Sequence, residues 1–272
     1  MNFGNEKMIS TRFNRETFEN ALRVLGIAGG DAYLVHSSLR MMGRVDGGAD
    51  TIIDTLMEIV TDSGVIMMPA FTLPPAEIFE SAATPTTLGI ISEIFRKRDG
   101  VIRSLHPSHS VAVWGRNAKM YADAHKNATA LGVGSPIHRL VEDGADILLL
   151  GVGHWANSAV HVAEAVARVP YLDLPYNDDY AKDLMMRLPD GSLAAVGPRE
   201  NPGCSVNFIA VEQPLKDAGL ITYHRIENTL LQRIDGMGAV SLLADLLKRE
   251  PDALLCSWEL CPFCPRARKL VR

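Results

Sequence analysis

The chain has 272 residues, 47% hydrophobic and 22% charged, with a net charge of −5. That is long enough for one large α/β domain and ordinary for a globular protein, while the acidic balance argues against a general nucleic-acid binder. No apolar run approaches the ~20 residues that a membrane-spanning helix needs, and the N-terminal stretch MNFGNEKMISTRFNRE lacks the apolar core of a signal peptide. The sequence therefore predicts a cytoplasmic protein without membrane partners, in which disulfides among the four cysteines are not expected.

Residues Thr11 to Leu25 have helical spacing, with Phe18, Leu22 and Leu25 on one face and Phe13 one turn earlier. A turn (26–31) and a short strand (Ala32 to Val35) lead into HSSLRMMGRVDGG (36–48). Two serines and a glycine-bearing loop at a strand end can offer hydroxyls and N–H groups to a pyrophosphate, or form a plain capped loop. The stretch is neither a P-loop nor a dinucleotide fingerprint. Asp50 to Val60 reads as an amphipathic helix, Gly64 to Thr72 as a buried strand, Leu73 to Pro85 as irregular and Leu88 to Phe95 as a helix.

The spacing of His106 and His109 in RSLHPSHSVAV (103–113) suggests metal ligation, but Pro107 breaks helical geometry there and no further ligand stands nearby. A turn and helix (132–144) precede ADILLLG (145–151), a short aliphatic run stopped by glycine and so a buried strand. Asn157 and Ser158 are cap-forming residues before an alanine-rich helix from Ala159 to Arg168. With Ser158 as cap, His161 and Glu164 stand three residues apart on neighbouring helical positions. A carboxylate there can accept the Nδ1 proton and leave Nε2 as a base, while the turn offers N–H groups to an oxyanion. A solvated surface pair has the same spacing.

YLDLPYNDDY (171–180) reads as a solvated loop, or as a place where Asp178 and Asp179 receive an ammonium-rich acceptor. Leu184 to Pro198 reads as a β-hairpin around Pro189-Asp190-Gly191. The cysteines are Cys204 and then Cys256, Cys261 and Cys264 in CSWELCPFC. Spacings of x4 and x2 with one remote partner suit a closed, structural four-thiolate zinc site, which would hold the tail (253–272) to the Cys204 loop; free thiols are the other reading.

Five of these stretches, in order between residues 30 and 165, resemble motifs of the aminoglycoside 3-N-acetyltransferase family. GVGHWANSAVHVAE is similar to its N-T-S-L-H-L-A-E signature: Asn157, His161, Ala163 and Glu164 match, Val160 and Val162 are conservative, and Ser158 replaces Thr. Val35 to Leu56 resembles the opening motif; P-x-F-T (69–72), residues 103–113 and G-x-G-S-P (132–136) follow, and residues 224–236 resemble a late segment. The resemblance implies a single three-layer α/β/α domain with a mixed central sheet, using acetyl-coenzyme A. It places His36, Ser37, Ser38, Leu39 and Val45 at the coenzyme, with Arg40 and Arg44 for its phosphates and Ser108, His109 and Ser110 along its channel. Catalysis would fall to His161, Glu164 and Ser158, acting by direct transfer on an amine of an antibiotic, and a short acceptor insertion (73–85) leaves another small amine open. Rival readings are a metal-dependent hydrolase built from His106, His109, His161 and Glu164, and a non-catalytic coenzyme-binding module. Oligomeric state, a homodimer included, is left open.

Overall fold

Three parallel strands at the centre of one sheet position everything that follows. The structure, a computed structural model, describes residues 12–127, 129–181, 183–196 and 202–271. In chain order these form β1 (Arg12–Phe13), α1 (Arg15–Val24), β2 (Ala32–Ser37), α2 (Leu39–Met42), β3 (Arg44–Val45), α3 (Gly48–Val60), β4 (Val65–Pro69), β5 (Ile78–Phe79), α4 (Ile90–Phe95), β6 (Ile102–Arg103) and β7 (Val111–Gly115). Then come α5 (Ala118–Asp123), α6 (Pro136–Glu142), β8 (Asp146–Leu150), α7 (Ala159–Ala167), β9 (Met185–Arg187), β10 (Leu193–Ala195), α8 (Glu212–Asp217), β11 (Ile221–Ile226), β12 (Thr229–Asp235), α9 (Gly236–Arg249) and α10 (Cys264–Val271).

The main sheet has the order β11-β12-β8-β2-β4-β7-β6. β2 runs parallel to both neighbours, with Leu34 opposite Met67 of β4 and Ile147 of β8. β7 and β12 close the parallel core with antiparallel pairings. Side chains alternate across each strand, so Ile147 and Leu149 join the layer of α5, α6, α7, α9 and α10, while Leu148 and Leu150 join that of α1, α3 and α4. Burial on both faces is why these strands are continuous aliphatic runs. Each such side chain contributes about 1.5–3 kcal/mol by leaving water, enough to hold β8 and the turn after it in one place. The expected three-layer mixed α/β architecture is what the chain adopts.

Several boundaries differ from the sequence reading. Phe13 is not helical: the Asn14 side chain accepts from the Thr17 N–H at 3.0 Å and starts α1 at Arg15. Phe13 instead pairs with Val45 in a two-residue parallel ladder. A side-chain cap thus overrides apolar spacing. The irregular stretch 73–85 contributes β5, which joins the β9–β10 hairpin in a second small sheet. The hairpin forms as expected, the Ser192 N–H donating to Asp190 Oδ1 at 2.9 Å in its turn; Gly197 and Pro198 lie outside the described residues, as does Thr11 with the rest of the N-terminal stretch before Arg12. No helix among the described residues is long and apolar enough to cross a membrane.

The chain leaves β2 toward β4 on one side and returns through β8 on the other. The carboxyl ends of these three strands therefore diverge, which in parallel sheets opens a crevice for ligands.

Candidate active site

A cavity of about 520 Å³ occupies that crevice. The end of β2 supplies Val35 to Ser38, the end of β4 supplies Pro69 and Phe71, and the turn after β8 supplies Val152 and Trp155 to Ser158. His109, His161, Tyr176, Tyr180 and the segment Pro202 to Val206 complete much of the wall.

The turn after β8 begins at Gly151, whose φ of +68° is left-handed. A Cβ there would lie 2.7 Å from Met42 Cγ, so glycine is required both for conformation and for space. A short 3₁₀ turn (His154–Ala156) follows. His154 Nδ1 lies 3.5 Å from the Asn157 amide, and Asn157 Oδ1 accepts the Ala159 N–H at 3.2 Å. The sequence assigned the cap of α7 to Asn157 or Ser158; the Ser158 side chain makes no capping bond. Ser158 Oγ points instead at His36 Nε2, 3.4 Å away. The first N–H groups of α7 are satisfied locally, Val160 by Asn157 O and His161 by Ser158 O. These two N–H groups are therefore engaged within the chain, while the Ser158 hydroxyl faces the cavity beside His36.

His161 and Glu164 form a close pair, Nδ1 to Oε2 2.6 Å, with side chains 10% and 5% exposed. The surface-pair reading fails on that burial. The Tyr171 hydroxyl sits 3.2 Å from Glu164 Oε1 and 3.0 Å from the Pro251 carbonyl, so its single proton is shared between them. Burial, reinforced by Glu164, pushes the Tyr171 pKa up and keeps it a donor. Phe208 lies against the His161 ring with centroids 4.7 Å apart. One imidazole edge thus meets a fixed carboxylate while the ring borders the cavity, an arrangement suited to proton abstraction.

Burial drives the His36 and His109 pKa values down to about 3, so both are neutral polar groups in the wall. His109 Nδ1 is 2.7 Å from Ser108 Oγ, and Phe71 packs on its ring at 4.7 Å. His106 turns inward: its Nδ1 accepts the backbone N–H groups of His109 at 3.0 Å and Ser108 at 3.3 Å. His106, His109, His161 and Glu164 do not gather as ligands, and among the described residues the four cysteines are the group that does. Cys204, Cys256, Cys261 and Cys264 are all buried, their Sγ atoms within 4.8 Å of one another.

Of the residues assigned to the coenzyme, His36, Ser37, Ser38 and His109 reach the cavity. Ser110 does not; its hydroxyl donates to Ala70 O at 2.8 Å and accepts from Arg103 at 2.9 Å. Ser108 is buried behind His109, and Val45 is buried in the opposite layer, against which Leu39 also packs. Arg40 and Arg44 are exposed. Asp178 and Asp179 stand exposed at the rim, between the wall residues Tyr176 and Tyr180. Sequence reasoning missed Tyr171 and Phe208, and it named Cys204 only as a metal ligand, not the Pro202–Val206 segment as cavity wall; none of these carries a periodic or spacing signal toward His161.

The family model of aminoglycoside 3-N-acetyltransferases matches residues 34–248. Aminoglycoside N(3)-acetyltransferase IV of Salmonella sp is 31% identical over 229 residues, 84% of each chain. The SPbeta prophage-derived aminoglycoside N(3')-acetyltransferase-like protein YokD of Bacillus subtilis (strain 168) is 34% identical over 188 residues, covering 60% of this chain and 68% of that protein. Solved structures of AAC(3)-IVa, as apoenzyme and as a histidine-to-alanine variant in complex with a gentamicin, superpose with TM-score 0.82 at 28% identity, covering 97% of this chain and 100% of theirs. With its three-layer frame and these matches over most of its length, the chain belongs to the aminoglycoside 3-N-acetyltransferase family.

Proposed function

We propose that this protein transfers the acetyl group of acetyl-coenzyme A to an amino group of an aminoglycoside, at the 3-N position that the family's name specifies. The observation that carries the reading is the 2.6 Å His161–Glu164 pair at the wall of the crevice. Glu164 holds the Nδ1 proton, which makes Nε2 the basic nitrogen. His161 Nε2 takes a proton from the acceptor nitrogen as that nitrogen's lone pair bonds to the thioester carbonyl carbon. The Ser158 hydroxyl, with His36 behind it, donates to the oxyanion. When the oxyanion collapses the carbon–sulfur bond breaks, coenzyme A leaves as thiolate, and the proton on His161 neutralises it. No acyl-enzyme is needed, so both substrates are bound together.

His36, Ser37, Ser38 and His109 would line the coenzyme's path, with Arg40 and Arg44 as the exposed cations for its phosphates. Asp178 and Asp179 would receive acceptor ammonium groups at the rim. One observation favours a second acceptor class: among the described residues that line the cavity there is no Asp or Glu. A wall of tyrosine, tryptophan and neutral histidine suits an amine with fewer charges than an aminoglycoside. Release of free coenzyme A across an aminoglycoside and amine panel decides between them. His161→Ala should lower turnover by about 10²–10⁴-fold. Full activity in that variant overturns the base assignment.

A further inference from the structure

The cysteine cluster lies outside the catalytic pair, yet Cys204 belongs to the cavity wall. We infer that Cys204, Cys256, Cys261 and Cys264 bind one structural zinc ion, and that this ion fixes the Pro202–Val206 wall of the cavity. Four buried sulfurs converge from two segments 52 residues apart. A tetrahedron with zinc–sulfur bonds of about 2.3 Å has sulfur–sulfur edges of about 3.8 Å. Cys204 Sγ and Cys256 Sγ are 3.9 Å apart, and all four fall within 4.8 Å. None is in a disulfide.

The backbone around the cluster is arranged for thiolates. The Cys256 N–H points at Cys264 Sγ (3.3 Å), the Cys264 N–H at Cys261 Sγ (3.4 Å) and the Val206 N–H at Cys204 Sγ (3.5 Å). Such donors stabilise sulfur that has lost its proton to the solvent on binding metal. The Arg268 guanidinium donates to the Leu255 and Cys256 carbonyls, both at 2.8 Å, placing a positive charge beside a site whose four thiolates and one divalent ion sum to −2. Four thiolates in this geometry select zinc, and a closed shell makes the ion structural rather than catalytic.

Its consequence runs through Phe263, between two of the ligands. A Cβ at Gly203 would meet the Phe263 ring at 2.6 Å, so the wall lies directly on that ring. Phe263 also meets Tyr171, the partner of Glu164, edge-on at 5.8 Å, and stacks on the wall residue Tyr176 at 6.2 Å. The metal therefore holds both a side of the cavity and the residue behind the carboxylate.

Metal analysis of the purified full-length chain tests this independently of activity. About one zinc per chain is expected, released in step with the titration of four thiols, and Cys256→Ser and Cys264→Ser should each hold less than about a tenth of that. If those variants do not fold, cobalt exchanged into the unmodified protein should show intense tetrahedral cobalt–thiolate bands. A metal-free chain, iron in place of zinc, disulfides among the four, or cobalt without those bands overturns the site. Zinc removal should also lower Tm by about 10 °C or more. The effect on turnover rests on the acetyl-transfer reading: the KM for the amine should rise at least tenfold while that for the thioester changes little. Stoichiometric zinc with an unchanged amine KM overturns the wall-fixing role alone.

Discussion

At the residue scale, the critical separation is between what Glu164 does for chemistry and what it does for folding. It has two oxygens and two partners, the His161 ring on one and the Tyr171 hydroxyl on the other. Glu164→Gln preserves shape and leaves an acceptor for Nδ1–H, but in the proposed mechanism it removes the charge that would stabilise the imidazolium. The glutamine is uncharged and keeps a hydrogen-bond partner for both His161 and Tyr171, so stability should change little. Turnover should fall by about 10²–10⁴-fold. Tyr171→Phe takes one hydrogen bond from a buried carboxylate and a backbone carbonyl, so its expected effect is reversed: a stability loss of about 1–3 kcal/mol and only a several-fold loss of rate. Thermal unfolding beside steady-state kinetics on both variants reads this out. A Glu164→Gln enzyme that melts early but turns over normally would make the pair a piece of scaffold.

At the element scale, the unit β8–turn–α7 carries the site, and much of it is legible in the sequence. Ile147 to Leu150 with Gly151 is a buried strand by its apolar run, and the alanines from Ala159 give the helix on which His161 and Glu164 share a face. What was not legible is which polar residue caps and which one faces the cavity. Asn157 and Ser158 have similar local chemistry, and the choice is made by His36, 122 residues away from Ser158, across the strand end. Gly151 tests how tightly this unit is set. Its positive φ and the 2.7 Å approach to Met42 make Gly151→Ala strained in two ways, with an expected loss of about 2–4 kcal/mol and a displaced catalytic turn. Gly144 also has positive φ (+88°) but open space around a built Cβ, so Gly144→Ala should cost only about 1 kcal/mol. Denaturant unfolding of the two compares them directly. Equal losses would mean that contact with Met42 is not what fixes the turn.

At the scale of the whole molecule, the cavity joins residues from positions 35 to 206. Local patterning could find each strand end but not Tyr176 or Gly203, because their place follows from the course of the chain after α7. The same assembly buries a set of histidines, and this gives the molecule an acid limit. His36 and His109 titrate near 3 and His125 near 4, with His106 well below its ordinary value; burial is the leading cause in each. The unfolded chain takes up these protons near pH 6.5, whereas the folded chain refuses those of His36, His109 and His125 until pH 3–4 and that of His106 until well below 6.5. Between those limits the unfolded state binds more protons, so stability falls as pH falls, by about 1.4 kcal/mol per pH unit for each histidine. Glu93, held down to about 2 chiefly by Arg96, adds a loss of the same sign at lower pH. Four histidines give on the order of 5 kcal/mol per unit, against a total stability of about 5–15 kcal/mol, so unfolding is expected near pH 5. Acid release of metal from the cysteines would act in the same direction. His125→Asn separates the two, since His125 bonds Ser104 and the Ala130 carbonyl, apart from any thiolate. Scanning calorimetry from pH 7.5 to 4.5 should show Tm falling steeply below about 6.5, and less steeply, by about one proton's worth, in the variant. A Tm level across that range in the unmodified chain would mean that these rings take up protons without unfolding.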